Sequence, residues 1–197
     1  MSAEQAYAFL VFAFVAAVTP GPGNVMLTAV GANAGIVRGL PCLLGIDAGM
    51  ALQLLLVAFG LGSVILGHPD VVEAMKWIGA AFLLWLAWKI ATAKGSGGEA
   101  ASRPVGFFEA AALQWINPKA WLVTTSAAGT YLRADGGVLA QALSLAGLFL
   151  LAALPSGFVW LAFGTALRRF LGSPRRLRAF NLAMGALLAG SVVLFVL

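Results

Sequence analysis

Three polar interruptions in an otherwise apolar chain carry the chemistry. Two are proline-containing breaks, Thr19-Pro20-Gly21-Pro22-Gly23-Asn24 and Gln114-Trp115-Ile116-Asn117-Pro118-Lys119. The third is a single acid, Asp47, inside Gly45-Ile46-Asp47-Ala48-Gly49. Proline removes a backbone donor and clashes with the preceding turn, so two prolines and two glycines inside a hydrophobic run open the helix. Pro22 suits the first turn of a restarting half-helix, and the amides after it point into the break as a seat for negative charge. The second break repeats the device: Asn117 is a good N-cap, Pro118 a good first helical residue, and Lys119 adds a positive charge. Either break alone fits a plain proline kink. Two in corresponding halves of one chain, both flanked by polar residues, point to a binding site built from Pro20, Gly21, Pro22, Asn24, Gln114, Asn117, Pro118 and Lys119, suited to a carboxylate.

Asp47 is the one acid deep in a hydrophobic run. A charge at the centre of a membrane helix costs about 2.5–3.5 kcal/mol on insertion scales, so Asp47 must face the interior of a bundle. Its chemistry there is to carry a coupling proton, to hold a substrate ammonium, or to pair with Lys119. Gly45-x-x-x-Gly49 around it is a small-residue helix-packing pattern. Gln53 shares its face only approximately.

The elements that must position these groups are membrane helices. The chain has 197 residues, of which 61% are hydrophobic and 10% charged, against about 25% charged in soluble domains. Mean hydropathy is +0.97. Runs near 20 residues recur, the length that crosses a core of about 30 Å. They predict an all-α membrane protein of six transmembrane helices, over about 6–31, 40–66, 71–93, 107–131, 139–167 and 179–197, with the first and fourth broken at the proline motifs. A polar, glycine-rich stretch over 95–106 divides the chain into two three-helix repeats, 1–94 and 107–197, in one membrane domain. Gly79-Ala80-Ala81-Phe82-Leu83-Leu84 resembles Gly185-Ala186-Leu187-Leu188 across the halves. An odd number of spans per repeat requires the copies to be inverted, a common architecture of secondary transporters.

Orientation follows from the basic residues. The loops after the first, third and fifth spans carry nine: Arg38, Lys89, Lys94, Arg103, Arg168, Arg169, Arg175, Arg176 and Arg178. The loops after the second and fourth offer Lys76 and Arg133. Basic loops stay cytoplasmic, so the 95–106 linker and the 168–178 segment face inward and both termini outward. The N-terminus lacks the basic region of a signal peptide, its first basic residue being Arg38, and is expected to begin the first span.

The same composition excludes other functions. The net charge of +5 is placed as topology determinants rather than as a nucleic-acid surface. Cys42 is the one cysteine and His68 the one histidine, so neither a dithiol redox carrier nor a His/Cys metal site can be built. No Ser/His or paired-carboxylate arrangement lies at depth, which argues against an enzyme. No cofactor is expected. Small residues on the second, third and sixth spans allow a homodimer without requiring one.

Thr19-Pro20-Gly21-Pro22 and Asn117-Pro118-Lys119-Ala120, taken together, resemble the LysE superfamily of amino-acid exporters, and within it the RhtB (homoserine/threonine exporter) type. The resemblance covers essentially the whole chain. It implies a multi-pass protein of the bacterial plasma membrane that exports an amino acid or derivative, driven by the proton gradient, with one repeat rocking against the other. Asp47 would then serve as the proton or ammonium partner. One position departs from the pattern: many members carry the acid directly after the second glycine, where this chain has Met50, and Asp47 lies three residues earlier on the same helical face. Export of a divalent cation and redox transfer are the alternatives; the first wants several buried carboxylates or histidines and the second paired cysteines.

Overall fold

The structure, a computed structural model, describes residues 1–93, 103–133 and 137–196. Most of the expected 95–106 linker, Lys94 and residues 134–136 lie outside the described residues. Among the described residues the chain forms eight helices and no strand: α1 (Ala3–Val18), α2 (Pro22–Ala58), α3 (Leu61–Leu66), α4 (Pro69–Ala91), α5 (Phe107–Ile116), α6 (Pro118–Tyr131), α7 (Val138–Leu167) and α8 (Pro174–Val196). By length and composition α2, α4 and α7 can cross a membrane, and α1 is a shorter apolar helix.

Local chemistry explains the boundaries. Ser2 and Gln5 form a capping box at the start of α1. Thr19, preceding Pro20, is extended (φ −64°, ψ 132°), as the proline ring demands, and α1 stops there. Pro22, Pro69 and Pro118 each stand in the first turn of a helix, where the missing amide proton costs nothing. Pro155 lies inside α7 and leaves it continuous as one helical segment.

The expected break between the first two spans is present, but it is confined to Gly35 rather than spread over a loop. Helix runs from Pro22 to Ala58 with a kink at Gly35, whose φ of 80° and ψ of 179° are open to glycine and strained for other residues. Arg38, expected in a loop, is therefore helical. A straight helix of 37 residues would be about 55 Å long, well beyond the bilayer core. The kink folds it instead: both Gly31 before it and Gly39 after it close on Leu161 of α7. The expected second span also ends early, because Gly60 (φ 96°) breaks the chain before α3. Helix α8 starts at Pro174 rather than near residue 179, so Arg175, Arg176 and Arg178 are helical.

Helix α2 is the centre of the bundle and packs against α7, α5, α6 and α8. Its glycines set how closely. A methyl at Gly31 would overlap the Leu161 carbonyl, and one at Gly164 of α7 would overlap the Thr28 carbonyl of α2. The two helices thus seat reciprocally at main-chain distance, and the Thr165 hydroxyl, 3.0 Å from the Leu161 carbonyl of its own helix, is shared with the Gly31 carbonyl at 3.3 Å. Gly45 and Gly49 admit α5 in the same way, against Phe107 and Ala111. Helix α4 packs on α8, with Gly185 against Ala87 and Ala91, and α1 packs on α7.

Two apolar clusters result. One joins Leu27, Val30, Leu43, Leu86, Leu113, Leu161 and Leu188. The other joins Phe9, Met50, Leu54, Ala120, Leu145, Phe149 and Ala153. The outside is apolar as well: Phe108, Val37, Leu122, Trp88 and Val159 are all more than half exposed. An apolar outside around a partly polar inside is the distribution a lipid solvent selects.

Candidate functional site

The two proline breaks meet. The carbonyl of Thr19, at the C-terminal end of α1, accepts two bonds: one from Asn24 Nδ2 at 2.9 Å and one from Lys119 Nζ at 2.5 Å. Asn24 Nδ2 also reaches the Ala17 carbonyl at 2.9 Å, so this side chain ties the start of α2 to the end of α1. Lys119 places its cation on the negative end of α1, where helix carbonyls lack intrahelical partners. Its stem lies across Gly21: a Cβ there would sit 3.0 Å from Lys119 Cδ and 3.3 Å from Nζ. Gly21 has an ordinary extended backbone (φ −172°), so its lack of a side chain makes room for Lys119 rather than serving an unusual conformation.

The two helix starts differ. At α6, Asn117 Oδ1 accepts from the Lys119 amide at 3.1 Å, and the Asn117 carbonyl accepts from the amides of Ala120 and Trp121. The amides expected to face an anion at this start are already bonded. At α2 the capping position is Gly21, which has no side chain to cap with, and the amides of Gly23 and Asn24 precede the first helical bond, from Val25 to the Gly21 carbonyl. The open helix start is that of α2.

Between the two apolar clusters lies a cavity of about 60 Å3. Seven of the nine residues singled out in the sequence line it: Gly21, Pro22, Asn24, Asp47, Gln114, Asn117 and Lys119. Pro20 and Pro118 do not; they shape the breaks. Asp47 is 4% exposed, and its Oδ2 has no hydrogen-bond partner. The pairing of Asp47 with Lys119 weighed from sequence is not formed: the ion pair found among the described residues is Lys89–Glu109, linking α4 to α5. Glu109 in turn accepts from the Gly106 amide at 2.7 Å. The cavity therefore presents one acid and one base, opposite in charge and unpaired with each other, beside an open helix N-terminus. Gln114 is 2% exposed, and its Nε2 has a long bond, 3.4 Å, to the Ala110 carbonyl.

Sequence reasoning missed the apolar wall. Leu27, Ile46, Met50 and Val123 line the cavity, and so do Phe149, Ala153 and Gly157 of α7. The small residues around Pro155 were the one available hint in that helix. Thr124 and Thr125 take no part, since both hydroxyls bond back to carbonyls of their own helix. Gln53 is fully buried with neither side-chain atom bonded and does not line the cavity.

Among the described residues, an all-helical bundle with an apolar exterior and a half-open cavity lined by one acid and one base is the architecture of a membrane protein. The LysE type translocator family model matches residues 14–197, and the chain belongs to that family, one of transporters rather than enzymes. Among curated proteins it is similar to the cysteine/O-acetylserine efflux proteins of Salmonella typhimurium and Klebsiella pneumoniae, each 34% identical over 125 residues. The protein of the same description from Escherichia coli O1:K1 is 32% identical over 125 residues. In each case the match covers 64% of this chain and 64% of the relative. No solved structure matches.

Proposed function

We propose that this translocator exports a small amino acid or amino-acid derivative from the bacterial cytoplasm, as an RhtB-type member, by proton antiport with alternating access. The observation that carries the reading is the cavity in which unpartnered Asp47 and the Lys119 ammonium occur with the open start of α2. A zwitterion complements that set. Its carboxylate goes to Lys119 and the amides of Gly23 and Asn24, its ammonium to Asp47, and Gln114, Asn117 and the Gly21-Pro22 backbone complete the enclosure. Pro20 and Pro118 hold the breaks open. The names of the relatives, which specify cysteine and O-acetylserine efflux, agree with a solute of this class.

The architecture in this reading is six spans as two inverted three-helix repeats, 1–94 and 107–197. Helices α1 and the first arm of α2 make the first span, and α5 and α6 the fourth. The packing of α4 on α8, the third span on the sixth, is what a two-fold relation between repeats would produce. The linker and the arginines of 168–178 are cytoplasmic, and both termini are outside. Asp47, released by substrate, takes the proton that returns.

The test is counterflow in proteoliposomes against a panel of amino acids, with and without a pH gradient. Uptake of one or more small amino acids, accelerated by the gradient, is expected. Transport of a divalent cation or a thiol redox couple, with every amino acid inert, would overturn the proposal.

A further inference from the structure

We propose that Phe149 and Ala153 of α7, with Met50 of α2, form the side-chain pocket that determines which amino acid the cavity takes, and that they restrict it to small uncharged side chains. The inference rests on the amino-acid reading above.

Charge gives the first restriction. Asp47 and Lys119 are the two ionisable residues lining the cavity. The ammonium and carboxylate common to all amino acids occupy both. A lysine, arginine or glutamate side chain would then bring a further charge into a space with no ionisable group left to pair with it, and an unpaired buried charge is strongly unfavourable. Besides the amides of Asn24, Gln114 and Asn117, the side chains that line the rest are apolar, among them Leu27, Met50, Val123, Phe149 and Ala153.

Size gives the second. The cavity is half open and holds about 60 Å3, so its buried wall rather than its total volume limits a guest's side chain. Phe149, Ala153 and Gly157 stand four residues apart on one face of α7, and all three line the space. The face therefore steps from ring to methyl to hydrogen. Phe149 and Ala153 are each 4% exposed and pack in the same cluster as Met50. They are held by the bundle, so the wall cannot simply swing aside for a larger guest. A substrate whose α-groups sit at Asp47 and Lys119 projects its side chain into the remaining, apolar part of the cavity.

The experiment is competitive transport by the protein in proteoliposomes, using alanine, cysteine, leucine, phenylalanine, lysine and glutamate. Wild type is expected to carry alanine and cysteine and to discriminate against the other four. Ala153→Val should lower cysteine transport relative to alanine, and Phe149→Leu should raise leucine relative to alanine about tenfold, the scale expected for one or two carbons in an apolar pocket. Ratios within one preparation do not depend on how much protein is folded. Phe149→Met, which conserves more volume, replaces Phe149→Leu if that variant cannot be purified. Unchanged ratios in both positions, or wild-type transport of lysine or glutamate alongside alanine, overturn the pocket while leaving amino-acid export intact. Failure of wild type to carry any amino acid overturns the underlying reading and the pocket with it.

Discussion

Lys119 of α6 donates from its ammonium to the main-chain carbonyl of Thr19, 100 residues earlier in the chain. One bond thereby joins the two helix breaks and closes the end of α1. The same ammonium lines the cavity beside the unpartnered Asp47. Replacing Lys119 by methionine removes both the capping bond and the cation. Charge-assisted hydrogen bonds contribute about 1.5–3 kcal/mol. The expected result is a rise of at least about tenfold in the apparent KM for counterflow. Lys119→Arg should keep part of the function, and a Lys119→Met variant with wild-type KM would remove Lys119 from the site.

Gly21 acts through Lys119. A methyl there would press on Lys119 Cδ at 3.0 Å and displace the end of the side chain. Gly21→Ala should weaken substrate affinity in the wild-type background and have little further effect in Lys119→Met. That non-additivity is the signature of a shared partner. Additive losses would mean that Gly21 has a separate role.

Asp47→Asn is nearly isosteric and removes a buried carboxylate that has an unbonded oxygen. Thermal unfolding in detergent should be unchanged or shifted upward, because an uncompensated charge costs more to bury than an amide. Transport should lose its dependence on the pH gradient in the same preparation. A lower melting temperature with coupling retained would show that Asp47 is structural.

The α2–α7 seam supplies a matched pair of glycine tests. Gly164→Ala puts a methyl into the Thr28 carbonyl and should destabilise by about 1–3 kcal/mol or prevent assembly. Gly147→Ala, on the same helix, meets nothing within 4 Å. It should be neutral or stabilising by up to about 1 kcal/mol, from helix propensity alone. Equal melting temperatures for the two variants would contradict the close seating.

A further polar contact fastens the bundle elsewhere. Asn33 and Asn181 exchange amide bonds at 2.6 and 2.9 Å, and Asn181 Nδ2 also reaches the Ala93 carbonyl at 2.9 Å. This joins α2 beside its kink to α8 and to the end of α4. Side-chain hydrogen bonds between membrane helices average about 0.6 kcal/mol, so Asn181→Ala should lower stability by about 1–2 kcal/mol, read as a melting shift.

The features legible in the sequence were those with local causes. Pro22, Pro118 and Asn117 act on their own helix turns, and each stands where its stereochemistry requires. Asp47 was conspicuous because an acid in an apolar run must be buried. The kink at Gly35 was not legible, since a glycine in a chain with 24 of them carries no mark of its φ until the fold imposes it. Lys89 reads as a topology charge, yet it pairs with Glu109 across two helices. Phe149 and Ala153 were hidden for a different reason. Helix α7 is apolar on all sides, so no periodicity separates its cavity face from its lipid face. Contacts such as Lys119 to a main-chain carbonyl involve one side chain and leave no matching residue type to look for.

The reciprocal glycine seats of α2 and α7 bear on how the cavity can open. Gly31 and Gly164 bring main chain against main chain, and the Thr165 hydroxyl is shared between the Leu161 and Gly31 carbonyls on the two sides of the seam. Two surfaces keyed in this way cannot slide past each other without first separating. The seam joins a helix from each half of the chain, so in the alternating access proposed above it is the line about which the halves turn. The seats at Gly31 and Gly164 are then the fulcrum of that proposed motion, and the ends of the bundle farthest from them travel the greatest distance.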